Sequence, residues 1–388
     1  MKRHIVIVVV LLLVMTAVPG FALGQEQGQV MKKEISLLTA EKIAKKFYKE
    51  TGFAIGNAIR YSSTLYDVDD SVLGYYFNIW NNEKTAGYIV VSATKERSPI
   101  LQYGDQAMGY DFQEKSEAGL KPYYLNALNI IHAKDTQDLR DQFQQIKANK
   151  RKEISKLMNR STNEEQKKML IEEYEAVSKQ ELVSLPKGDY QDKWQAIENK
   201  GEVSILSTPQ KVLSVSRVWQ RTSGVTWEDS ACGPTTGVMI ANYLKSAGYT
   251  VRGSSYYGGN SDFINHLWSE MAWWWGTSAM SFRENMEQHL NLDYSNHKFE
   301  AFGWDDPSFS NIQSYLDDNI PYGIKFESNS NDSVYASYHW VAAIGYKVSS
   351  LGDFVAIKDP DGGQNNTGTH FISYDTNEPY AYHVFIYQ

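Results

Sequence analysis

The chain has 388 residues, 42% hydrophobic and 22% charged, an ordinary globular composition with length for about two domains. A formal net charge of -8 excludes the basic face that a nucleic-acid partner requires. The single cysteine excludes a disulfide framework within the chain, so stability has to come from core packing.

In chain order, Lys2, Arg3 and His4 precede an apolar run over 5–18, a break at Pro19-Gly20 and small residues at Ala22 and Gly24. This pattern predicts a signal peptide over 1–24 and an exported bacterial protein. The run is shorter than the roughly 20 residues a membrane span needs, so no stable membrane insertion is expected after cleavage. An uncleaved anchor is the competing reading.

Residues 25–115 read as a small α+β unit. A helix is expected over 40–50, capped by Thr39 and ended by Gly52, with Ile43, Ala44, Phe47 and Tyr48 as its apolar stripe. Runs rich in Ile, Val and Tyr predict strands over 58–66, 72–80 and 87–93, with a turn over 81–84. Residues 116–204 read as a helical linker or arm. No Gly or Pro occurs from 140 to 181, and Ser161 with Glu164 forms a capping box, so two helices breaking near 159–163 are expected. The apolar positions there (Leu157, Met158, Met169, Leu170, Tyr174, Val177) are sparse, which suits an arm across another domain or a solvated hairpin equally.

Residues 205–388 lose the charged runs and carry eight of the ten tryptophans, enough chain for one well-buried domain. Cys232 stands just before Gly233-Pro234-Thr235. Pro234 suits a first helical turn, and Val238, Ile240, Ala241 and Leu244 supply a buried face before Ala247-Gly248. A helix N-terminus favours the thiolate, the form of cysteine that attacks carbonyls. The competing reading is a buried, inert cysteine. A strand opening at His339 and a returning strand ending at Asp359, about a turn over 349–352, put these two residues at one end of a hairpin. Asp359 would then orient the imidazole that serves Cys232 as base. His266 and His289 lie in polar helical stretches and read as solvated. His297, His370 and His383 lack an acid at matching spacing. The backbone N–H of Cys232 and the side-chain amide of Gln220 are candidate oxyanion donors. The segment 359–363 begins like a calcium loop, but its fifth and twelfth positions are Gly363 and His370, so no metal or other cofactor is expected. Trp273–Trp275 is read as a groove wall or core.

Cys232-Gly233-Pro234-Thr235 opening a helix, with His339-Trp340-Val341 through Gly345-Tyr346 and then Asp359-Pro360, resembles the bacteriocin-leader-peptidase-like branch of papain-like cysteine peptidases. The resemblance covers roughly 210–388. It implies a papain-like α+β domain with Cys232 as nucleophile, His339 as base, Asp359 as its orienter and Gln220 in the oxyanion hole. Leader peptidases of that branch precede an ATP-driven exporter, and no membrane segment follows here, so dedicated leader processing is not expected. Gly74 to Asn78 and Gly87 to Ala93 are similar to the propeptide of streptopain-type secreted peptidases. That similarity implies a pro-domain acting as intramolecular inhibitor or chaperone. The expectation is therefore a secreted endopeptidase zymogen acting on proteins or peptides. A cell-wall peptide hydrolase or acyltransferase on the same residues, or a non-catalytic peptide- or glycan-binding module, is the alternative.

Overall fold

A computed structural model describes residues 34–108, 112–161, 164–179, 181–199, 210–272, 276–296, 298–326, 339–378 and 381–388. The expected signal peptide, the Trp273–Trp275 run, His297 and the loop 327–338 lie outside the described residues.

The chain opens with α1 (Leu37–Thr51), which buries Ala40, Ile43, Ala44 and Phe47. Its cap is Ser36, whose Oγ accepts from the N–H of Thr39 at 3.3 Å, so the helix begins one turn earlier than Thr39 suggested. Gly52 closes it in the left-handed region at φ 55°, where its N–H reaches the carbonyl of Tyr48. Then come β1 (Ala58–Tyr66), β2 (Val72–Asn81), β3 (Lys84–Ser92) and β4 (Ile100–Gly104), successive antiparallel neighbours. A short helix α2 (Phe112–Glu117) leads to a hairpin of β5 (Lys121–Asn126) and β6 (Asn129–Ala133).

That hairpin occupies part of the zone read as helical. Tyr123, Tyr124, Ile130 and Ile131 suit strands, and β5 pairs in parallel with β1 at Tyr66 and Tyr123. Helix begins only at α3 (Thr136–Arg160), followed by α4 (Glu164–Lys179) and α5 (Gln191–Asn199). Ile154, Leu170 and Val177 form a small separate core between α3 and α4. Trp194 of α5 is buried and donates its indole N–H to the carbonyl of Arg97 at 2.9 Å.

The C-terminal region contains β7 (Gln210–Val212), α6 (Cys232–Ser246), α7 (Ser254–Tyr257), α8 (Asn260–Met271) and α9 (Ala279–Leu290). After these follow β8 (Glu300–Asp305), α10 (Phe309–Asp317), β9 (Tyr322–Phe326), β10 (His339–Ser349) and β11 (Gly352–Lys358). The chain ends with β12 (His370–Ser373), α11 (Tyr374–Asn377) and β13 (Ala381–Tyr387). All strands join one mixed, 13-stranded sheet in the order β6-β5-β1-β2-β3-β4-β12-β11-β10-β9-β13-β8, with β7 also on β10.

The seam between the N- and C-terminal parts is the β4–β12 pair. All five residues of β4 are buried because it has a partner strand on each side, β3 and β12. Tyr103 stacks on Phe371 across the seam, rings 4.6 Å apart and 3° from parallel. One hydrophobic core therefore runs from Phe47 and Tyr103 through Phe354 to Trp340. No described helix is long and apolar enough to cross a membrane.

Candidate active site

Cys232 is the first residue of α6 and is 3% exposed. The helix starts there because Pro234 fixes the first turn and the N–H of Thr235 already bonds back to the carbonyl of Ala231 at 2.8 Å. Gly233 is required by packing: a Cβ at that position would lie 2.5 Å from Thr277 Oγ1. Thr277 is itself fixed, since its carbonyl accepts the indole N–H of the buried Trp340 at 2.9 Å. Trp340 in turn stacks on Phe282 at 4.1 Å. The residue beside His339 thus braces the residue beside Cys232.

His339 opens β10, and Asp359 follows the last residue of β11. Ala342 pairs with Lys358, so Asp359 falls two residues from His339 along the hairpin. The ring Nε2–H donates to Asp359 Oδ1 at 2.7 Å, and the Cys232 side chain is near enough to act on the same ring. Both side chains of the pair are largely covered, at 18% and 14% exposed. Burial alone would push the His339 pKa down, but the Asp359 charge, its hydrogen bond and the Cys232 side chain outweigh that and raise it well above the usual value. Burial would likewise raise Asp359, yet the His339 charge, the shared hydrogen bond and the backbone N–H of Asp361 hold it down to about 2. The arrangement is an imidazole beside a carboxylate and a thiol at a helix N-terminus.

Gln220 is buried, and its hydrogen bonds run to the loops around the site. Its backbone N–H donates to Pro360 O at 3.0 Å, and Nε2 donates to Glu228 O at 2.9 Å. It therefore ties the loop after Asp359 to the segment before Cys232. Two arginines that sequence reasoning passed over do more of this work. Arg217 donates to the carbonyls of Asp359 (2.7 Å), Pro360 (3.1 Å) and Gly363 (2.7 Å). Arg221 pairs with Asp361 at 2.7 Å and with Asp229, and these partners raise its pKa further. The loop carbonyls that a calcium ion would claim thus face a guanidinium. The only sequence signal was two arginines just upstream of an acidic loop, too common to single out.

The other histidines separate clearly. His370 is buried in β12, between Tyr88 Oη (3.0 Å) and Asn366 Nδ2 (3.2 Å), and burial lowers its pKa. His383 is buried between Tyr322 Oη and Glu378, both at 3.1 Å. His289, expected to be solvated, is 1% exposed because Tyr257 and Phe263 from neighbouring helices cover the polar-looking helix end. Trp227 is half exposed and stacks on Trp268 at 5.4 Å, whose indole N–H donates to Ser230 Oγ, so an aromatic wall rises just before Cys232.

The N-terminal region docks onto the loop that follows Asp359. Gln106 Oε1 accepts from the N–H groups of Thr367 (2.8 Å) and Gly368 (3.1 Å), and Asp105 Oδ1 from that of Thr369 (2.6 Å). A cleft of about 980 Å³ lies at this joint, lined by Phe53, Asp105 and the 362–368 loop.

Comparison with known proteins gives two family matches. A search of curated proteins finds no match. Residues 32–126 match the family model described as Spi protease inhibitor, and residues 212–382 match the Peptidase_C39 like family. These matches support a C39-like cysteine peptidase domain preceded by a protease-inhibitor-like N-terminal domain.

Proposed function

We propose that this protein is an exported cysteine endopeptidase of papain-like fold, made as a zymogen. The observation that carries the reading is the His339 ring, bonded to Asp359 at 2.7 Å and near enough to Cys232, at the start of α6, for that side chain to act on it. In the proposed reaction the Cys232 thiolate attacks the scissile carbonyl and His339 gives its proton to the leaving amine. The resulting thioester is hydrolysed by water, whose proton His339 accepts as the Cys232 thiolate leaves, which restores the starting pair. The Cys232 backbone N–H at the helix start and the second Nε2 hydrogen of Gln220 stabilise the oxyanion. Asp359 holds the ring orientation and the imidazolium charge.

The zymogen assignment rests on the seam. Removing the N-terminal region would strip β12 of its β4 partner and the 366–369 loop of its Asp105 and Gln106 acceptors. The N-terminal region thus acts on the loop carrying Asp359, as inhibitor or folding scaffold. Export rests on the basic and apolar N-terminal pattern alone.

The test is an intact-mass time course of the exported chain under mild reduction, with a protein substrate present. Wild type should cleave the substrate and lose an N-terminal portion ending between residues 181 and 210, whereas Cys232→Ala should do neither. Equal activity in the two proteins sinks the reading. Release of muropeptides from peptidoglycan without protein cleavage would replace it with wall-peptide hydrolysis.

A further inference from the structure

Packed against α6, the helices α8 and α9 bring together three groups that the proposed catalysis does not use. His266 and Glu270 are one turn apart on α8, and His289 is in the last turn of α9. One ligand atom from each, the two imidazole nitrogens and a carboxylate oxygen, lies within 4.8 Å of the other two. His266 and His289 present rings 6.1 Å apart at 58°, so they converge without stacking.

The protonation pattern says what these atoms want. His289 Nε2 is 3.1 Å from the carbonyl of Arg252, and only an N–H can make that bond, so the proton sits on Nε2. Its Nδ1 then carries a bare lone pair, and this buried nitrogen has no hydrogen-bond partner among the described residues. His266 Nε2 is 3.2 Å from Glu270 Oε1, yet it is buried without an aligned hydrogen bond. A buried nitrogen without a partner is costly, and a cation held jointly by His266, Glu270 and His289 would satisfy it. A backbone carbonyl that fixes the tautomer of a ligating histidine is the usual support of a metal site. Tyr257 stacks on His266 at 4.3 Å and holds that ring in place. The neighbouring Arg252 guanidinium, which would repel a cation, is neutralised by Asp293 at 2.8 Å.

We propose that His266, Glu270 and His289 bind a divalent transition-metal ion, zinc by the chemistry of the donors, that clips α8 to α9. Two imidazoles and one carboxylate, with no thiolate, leave a fourth position for water on the more exposed Glu270 side. Both helices pack on α6, where Gly237 meets Leu267 of α8 and Met286 of α9, so the clip would brace the helix that carries Cys232. In a chain with one cysteine and no disulfide, such a cross-link takes the role that a bridge would have.

The test uses the full chain bearing Cys232→Ala, so that the thiol cannot take the metal and the outcome is independent of the peptidase assignment. After chelation and dialysis, Zn(II) and Co(II) are titrated by calorimetry, visible absorption and thermal unfolding. The expected result is one equivalent bound, a raised melting temperature and the visible bands of four-coordinate Co(II). Glu270→Gln, a partly exposed change that should leave circular dichroism intact, should weaken binding at least about 10-fold. His266→Ala should abolish the Co(II) bands. Absence of saturable binding overturns the proposal, as does unchanged affinity in both Glu270→Gln and His266→Ala.

Discussion

The two halves of the sheet each contain a short, covered ion pair, and the pairs differ in what they do. In the N-terminal half Arg97 meets Asp67 with the two side chains 3% and 1% exposed, and Arg97 also donates to the carbonyl of Leu185 at 3.1 Å. In the C-terminal half His339 meets Asp359 at 2.7 Å, at an open hairpin end and beside a thiol. A guanidinium does not release its proton in a protein, so the first pair only fixes the loop after β1, the loop after β3 and the irregular stretch around Leu185. An imidazole changes protonation near neutral pH, so the same pattern at the hairpin end can move a proton. The difference lies in the residue type and in what stands next to it, not in the depth of burial.

Substitutions should separate the two pairs, beginning with the largest effect. His339→Ala should lower kcat/KM for a peptide substrate by about 10,000-fold, a loss of chemistry far larger than the stability lost by unpairing Asp359, which keeps the Asp361 N–H. Arg97→Ala should do the reverse, costing about 3–5 kcal/mol of stability, because Asp67 would be left buried without a partner. Urea unfolding of the two variants side by side checks both; a stable Arg97→Ala protein would break the distinction.

Gly233→Ala should come next, at about 1–3 kcal/mol, since the new methyl would press on Thr277, which the Trp340 indole holds. Differential scanning calorimetry reads it, and Thr277→Ser should relieve little, because Oγ1 is the nearest atom.

A smaller effect is expected in the pH dependence of stability. Asp359 has a lowered pKa in the folded state, so its contribution is present above the usual carboxylate value near 3.9 and disappears as pH falls toward about 2. His339 has a raised pKa, so its contribution is complete below about 6.5 and is lost as pH climbs through the raised value. The stability gap between wild type and Asp359→Asn should therefore be widest between these limits and narrow on either side. A gap flat from pH 3 to pH 9 would remove the ion pair from the account.

Local signals made much of this legible. Pro234 after Cys232-Gly233, the turn over 349–352 and the alternating runs at 58–92 each act within a few residues, and the corresponding helix start, hairpin and strands stand where those signals put them. Ser36 displaced Thr39 as cap because two hydroxyls lie within one turn, and the Ser36 hydroxyl bonds both the Thr39 N–H and its side chain. What remained hidden is non-local. Nothing in Ile100–Gly104 says that it will pair with His370–Ser373, some 270 residues away, or that Arg217 will lace the loop after Asp359. His289 was misread for the same reason, since the rings that bury it come from Tyr257 and Phe263 and not from its own helix face.

The central claim is that His339 activates Cys232 as a nucleophile, and alkylation of the thiol tests it most directly. Iodoacetamide should modify Cys232 at pH 6 well above the rate for free cysteine, which is almost wholly protonated there with a pKa of about 8.5. His339→Gln should bring the rate down to that of an ordinary covered thiol. A wild-type rate no faster than free cysteine, and unchanged by His339→Gln, would contradict the account.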